Sequence, residues 1–154
     1  MQISDILLPS AVKSVSQVSS KKRLFQDVAE LAQTVYRVDA VRTFDALQER
    51  ESLGPTGVGN GVALPHARIS GLDHVAGLFL RLEKPMDFDA VDRQPVDLVF
   101  TLLAPDSPGV EHLKALALVS RTLRDERLRA KLRANTDPVA LHAVLTDGPE
   151  PSAG

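Results

Sequence analysis

Two apolar runs limit the choice of fold more than any other feature of this chain. Residues 75–82, Val-Ala-Gly-Leu-Phe-Leu-Arg-Leu, and 96–103, Val-Asp-Leu-Val-Phe-Thr-Leu-Leu, are short and bounded by turn residues, the pattern of buried strands. On either side of them the apolar period changes from that of strands to that of helices. Leu24, Val28, Leu31, Ala32 and Val35 recur at helical spacing behind Ser19 or Ser20 as N-cap, and Asp39 can cap a second helix with Val41, Phe44 and Leu47 inward, stopped by Gly54-Pro55. Beyond the second strand, Leu113, Leu116, Ala117, Ser120 and Leu123 mark a helix with Glu111 and His112 in its first turn. Asp125 can start a short helix with Leu128 and Leu132 inward and Arg127, Arg129, Lys131 and Arg133 mostly outward, and Asp137-Pro138 reads as the N-cap and first residue of a last helix through Leu145. Alternating helices and strands predict a single-domain α/β sandwich, a β-sheet between helical layers.

The remaining segments are less regular. Residues 1–18 read as a lead-in of weak strand or turn character broken by Pro9. Residues 84–95 are rich in acids and proline and read as a polar connection outside the core. Lys21, Lys22 and Arg23 fall in the first turn of a helix, where the dipole disfavours cations, so they form either a solvated face or a contact for an anion or partner. The domain is expected to span residues 1–147, with 148–154 as a frayed tail.

Composition removes several function classes. At 154 residues with 44% apolar content the chain suits one globular domain. Eighteen basic against 20 acidic residues, a net charge of −2, provide no basic field for nucleic acid. There is no cysteine, hence no disulfide, thiolate metal site or thiol nucleophile. Without a secretory leader pattern or an apolar run of membrane-spanning length, the cytoplasm is the expected compartment and membrane insertion is not expected.

Chemistry concentrates at residues 56–68, Thr-Gly-Val-Gly-Asn-Gly-Val-Ala-Leu-Pro-His-Ala-Arg. Gly57, Gly59 and Gly61 permit positive φ and close approach of another chain, which Val58 and Leu64 could assist as docking residues. Pro65 biases Leu64 to extended backbone, so that Val62 to Leu64 should finish a strand and present His66 at its edge. Neither phosphate-loop pattern applies: no Gly-Lys-Ser/Thr follows, and an apolar strand takes the place of the helix that a dinucleotide fingerprint requires. His66 becomes a candidate nucleophile if the fold brings His112, at the start of a helix, and Arg50, at the end of one, to the same point. Two histidines, a guanidinium fork and free helix N–H groups suit a phosphoryl group. A metal is a poorer match, because the histidines lack a carboxylate at ligand spacing, and no cofactor is implied. His74 and His142 read as surface or packing residues.

The segments Arg50-Glu-Ser-Leu-Gly-Pro-Thr-Gly-Val-Gly-Asn-Gly-Val-Ala-Leu-Pro-His66, Pro85 to Asp97 and Glu111-His-Leu-Lys-Ala-Leu-Ala117 resemble the mannitol/fructose class of IIA proteins of the bacterial phosphotransferase system, and within it the nitrogen-regulatory branch. Ala67 stands where that class commonly has glycine or another small residue. The resemblance implies a mixed β-sheet flanked by helices on both sides. It implies that His66 accepts a phosphoryl group through Nε2 from an HPr-like phosphocarrier protein, that His112 is the second histidine of the site, and that Arg50 faces the phosphate. It further implies regulatory target proteins such as kinases or transporters. A sugar-specific IIA component handing phosphate to a IIB domain is the alternative.

Overall fold

The computed structural model describes residues 1–107 and 109–149. In chain order its elements are α1 (Ile3–Ile6), a 3-10 turn at Pro9–Ala11, β1 (Val12–Val15), α2 (Lys21–Tyr36), α3 (Ala40–Ser52), β2 (Gly57–Gly59), β3 (Val62–Ala63), β4 (His66–Ile69), β5 (Ala76–Met86), β6 (Val96–Pro105), α4 (Glu111–Leu123), α5 (Glu126–Arg133) and α6 (Pro138–Asp147). The expected tail at 148–154 lies mostly outside the described residues.

The two apolar runs are the centre of the sheet. β5 and β6 pair antiparallel, with Phe79 opposite Phe100, β1 lies parallel to the outer side of β5, and β3 and β4 lie parallel to the outer side of β6. β2 closes the far edge as a hairpin with β3. The result is a sheet with helices on both sides, as the alternation of periods predicts, and a mixed one, as the resemblance implies.

Helix starts follow local chemistry. Ser20 Oγ accepts from the N–H of Arg23, Asp39 from Arg42 and Asp125 from Leu128, while Asp137 accepts from Val139 with Pro138 at the first helical position. Each cap satisfies a donor that the first turn cannot satisfy internally.

Four expectations change. The lead-in contains a helical turn, α1, whose Ile3 and Ile6 are buried, and a strand, β1, that joins the sheet. Leu47 is buried and Phe44 partly covered as expected, but Val41 is 66% exposed and Thr43 takes its place inside, because the helix is rotated to pack between α2 and β4. The 84–95 connection begins as the end of β5 and then sends Phe88 into the core, fully buried and edge-on to Phe25 at 6.2 Å. Its acids stay outside by bonding backbone N–H groups: Asp87 accepts from Asp89, and Asp92 from Asn60 and Gln94. Those donors, Asn60 first, hold the Asp92 carboxyl below the usual carboxylate range. Finally, the basic side of α5 is not merely solvated. Arg133 forks onto Asp97 at 2.8 and 2.9 Å and reaches the Asn60 carbonyl, and Arg129 donates to the carbonyls of Leu123 and Arg124.

Phe88 thus joins a segment of polar appearance to the core. Phe88→Ala is expected to cost about 3–5 kcal/mol of stability, read as a lower urea midpoint at unchanged slope.

Candidate functional site

Pro65 separates β3 from β4, yet the two strands share one register along β6: Val62 lies opposite Leu98 and His66 opposite Leu102. The strand thus ends next to Leu64, as expected, but His66 does not merely sit at its edge: it begins a second strand, β4, on the same partner. A proline cannot donate to the ladder, but the Pro65 carbonyl still accepts the N–H of Leu102 at 2.9 Å, so pairing continues across the gap. The free side of β4 is covered by α3, which brings the end of that helix to His66.

Two contacts define the state of the His66 ring. Nδ1 lies 2.9 Å from the Leu64 carbonyl oxygen, which can only accept, so Nδ1 carries the proton. Arg50 Nε donates toward Nε2 at 3.4 Å, and a guanidinium cannot give up its proton, so Nε2 holds a lone pair. Arg50 itself is steadied by a bond from Nη1 to the Gly54 carbonyl at 2.9 Å. Its place in the last turn of α3 also suits the helix dipole.

The loop between Arg50 and the glycine segment is held by Glu51, whose side chain is only 7% exposed. Its carboxylate accepts from Thr56 N at 3.0 Å and Thr56 Oγ1 at 2.6 Å, and pairs with Lys21 Nζ at 2.9 Å. Lys21 also lies over the Phe88 ring, 4.7 Å from its centroid. Of the basic cluster at the start of α2, Lys21 is therefore a strut between α2 and the loop. The Thr56 carbonyl in turn accepts the N–H of Leu64 at 2.9 Å, so the residue that orients His66 is fixed on its own amide side.

His112, the second residue of α4, lines the same cleft of about 550 Å³ as His66 and Arg50. Its Nε2 lies 3.3 Å from Arg68 Nη2. Among the described residues no side chain caps α4, and of its first-turn N–H groups that of Leu113 is bonded to the Val110 carbonyl at 3.0 Å. Leu53, Leu113 and Leu116 give the cleft an apolar wall. Leu113 is 56% exposed, and the side of α4 buried against the core is instead formed by Ala115, Val119, Thr122 and Leu123. The helix therefore has two apolar stripes where the sequence pattern suggests one.

The glycines do not line this cleft. A Cβ on Gly57 would come within 2.8 Å of the Ala90 Cβ, and one on Gly61, at φ +76°, within 2.7 Å of an Asp97 oxygen. They allow the hairpin to lie against the 84–97 segment and α5, not a partner to approach. Leu64 is buried and unavailable for docking; Val58 is exposed. His74 pairs with Asp73 at the surface, and His142 Nε2 lies 3.0 Å from the Leu7 carbonyl, tying α6 to the N-terminal segment.

The structure thus gathers Arg50, His66 and His112 around one cleft and adds residues that the sequence reading passed over. Arg68 carried a usable signal, since residues two apart on a strand share a face. Glu51 carried none, because its ionic partner Lys21 is distant in sequence and its bonds to Thr56 depend on how the loop after α3 turns.

Fold and site together define a IIA-type phosphotransferase-system domain. The family model described as "Phosphoenolpyruvate-dependent sugar phosphotransferase system, EIIA 2" matches residues 5–148, and the chain belongs to that family. It is 44% identical over 153 residues to a nitrogen regulatory protein of Bradyrhizobium diazoefficiens, covering 99% of this chain and 100% of that one. A fructose-specific EIIA component of Haloferax volcanii is 35% identical over 151 residues, covering 96% of this chain and 98% of that one. The crystal structure of the nitrogen regulatory protein IIA-Ntr from Neisseria meningitidis superposes with a TM-score of 0.86 at 36% identity, over 94% of this chain and 99% of that one.

The tautomer is directly measurable. Nitrogen-15 correlation spectra at pH 8 are expected to show His66 protonated at Nδ1 and bare at Nε2; a proton on Nε2 contradicts the pairing with Leu64 and Arg50.

Proposed function

We propose that this chain is a phosphoryl-accepting regulatory IIA component of a phosphoenolpyruvate-dependent cascade, phosphorylated on His66. The observation that carries the reading is the His66 ring itself: Nδ1 is tied to the Leu64 carbonyl, and the Nε2 lone pair lies in the cleft, occupied only by the long bond from Arg50 at 3.4 Å that an arriving phosphoryl group would replace. The donor is an HPr-like carrier bearing a phosphohistidine. As the Nε2 lone pair forms the new P–N bond, the P–N bond to the carrier breaks and its electron pair remains on the carrier's imidazole. The Nδ1 proton stays on His66, shared with Leu64 O. Arg50 and His112 offset charge on the equatorial oxygens. Phosphoryl transfer asks mainly for positioning and electrostatic stabilisation, which so small a set can supply without a metal ion.

The regulatory half of the reading is supported by the names of the relatives, nitrogen regulatory proteins similar to this chain along nearly its whole length. Phosphate on His66 adds a dianion to a cleft with an apolar wall, a change that can switch contact with target proteins such as kinases or transporters. The domain doing this spans residues 1–147, and the reading requires the cytoplasm; among the described residues no helix is long and apolar enough to cross a membrane. A second reading, a fructose- or mannitol-type component that passes phosphate to a IIB domain, is favoured by the 35% identity to the Haloferax volcanii protein.

Incubated with phosphoenolpyruvate, enzyme I and carrier, the protein is expected to gain one acid-labile phosphate that His66→Ala abolishes; labelling that persists in that variant refutes the assignment. His112→Ala is expected to slow transfer while leaving some labelling. Transfer onward to a purified IIB domain would establish the second reading.

A further inference from the structure

Two charged groups of the cleft, Glu49 and Arg68, have no task in the reading above, and only Arg68 is basic. Arg68 follows His66 by two positions on β4, so both side chains leave the same face of the strand, with about 6.6 Å between their backbone positions. Both line the cleft that contains Arg50 and His112. Several basic side chains of the molecule are paired with carboxylates: Arg133 with Asp97, Lys21 with Glu51, Arg23 with Asp27. Among the described residues Arg68 has no carboxylate partner, and its side chain meets a single acceptor, His112 Nε2 at 3.3 Å.

That contact is informative in both directions. A guanidinium donates only, so the Nε2 it approaches is unprotonated and His112 is the neutral tautomer with its proton on Nδ1. The bond is long and neutral at its acceptor end, and it uses one of the five donors that arginine offers. A phosphoryl group on His66 would present three charged oxygens, and a bond from the guanidinium to them adds an ion–ion attraction that the bond to the neutral nitrogen lacks.

We propose that Arg68 is a second phosphate-contacting arginine. It rests on His112 while His66 is bare and turns to the equatorial oxygens, on the side away from Arg50, as the phosphoryl group arrives. His112 Nε2 is released by the same movement and becomes free to take a proton from solvent and donate it in a hydrogen bond to the phosphate. The two residues act as a unit, His112 holding the guanidinium in reserve and inheriting its own role when the guanidinium leaves. The inference rests on the phosphoryl-acceptor reading of His66.

Arg68 is exposed, so its replacement need not disturb the fold, and an unchanged melting temperature checks this. The wild-type chain is first labelled from phosphorylated carrier and its phosphate located on His66; failure there overturns the parent reading and leaves nothing to be assigned to Arg68. Once that labelling is in hand, Arg68→Gln is expected to slow it by about 10- to 100-fold, the effect of losing a charge-assisted hydrogen bond, and to shift the phosphorus-31 resonance of the phosphohistidine. Arg68→Lys should recover part of the rate, since it restores the charge without the fork. Combined with His112→Gln, Arg68→Gln should slow transfer little beyond the worse single variant. Wild-type kinetics and resonance in Arg68→Gln would overturn the contact, and losses that multiply in the double variant would overturn the paired action with His112.

Discussion

The hydrogen bond from His66 Nδ1 to the Leu64 carbonyl is the interaction on which the site depends, and Pro65 is what makes it available. Within a regular strand a carbonyl is committed to a neighbour. Here the proline breaks β3 from β4, its own carbonyl keeps the ladder to β6, and the Leu64 carbonyl is left to meet the side chain two residues on. The sheet register survives the break, so His66 is fixed by the core even though it sits at an interruption. A mobile imidazole would divide its proton between two nitrogens; this one is assigned its tautomer by backbone geometry.

Around that bond the molecule arranges its buried charge economically. Glu51 is nearly inaccessible, which is tolerable because each of its oxygens has a partner and Lys21 neutralises it. The pair joins α2 to the end of α3, and Thr56 relays that constraint to the Leu64 amide. Arg50 and Glu51, adjacent in sequence, therefore divide their work: one faces the histidine and the other braces the loop behind it. The same logic recurs where Arg133 clamps Asp97 beneath the β2–β3 hairpin.

Much of this was legible in the sequence because it is local. The central strands, the capped helices and the Pro-His step depend on periodicity and on residues within a turn of one another. Arg50 and His112 could be placed at helix ends by the same means, while their meeting at one site rested on the family resemblance. The errors came from contacts between distant segments. Phe88 lies among acids and prolines, and only the approach of α2 makes it core. The glycines looked like clearance for a partner because nothing local says that Ala90, Asp92 and Arg133 lie against them. The face of α4 was misjudged because a helix between a sheet and a cleft has apolar residues on two sides. The Leu64 acceptor is a backbone atom, and no side-chain pattern announces it.

Those two faces of α4 separate demands that usually conflict. Ala115 and Val119 are buried in the core, whereas Leu113 stands exposed at the cleft and Leu116 borders the cleft while packing partly on the core. Substitutions at Leu113 can reshape what the cleft accepts while the buried pair keeps the domain folded. Relatives with different assignments can therefore share this architecture: the helix leaves room for its outward stripe to diverge without loss of the scaffold that holds the histidine.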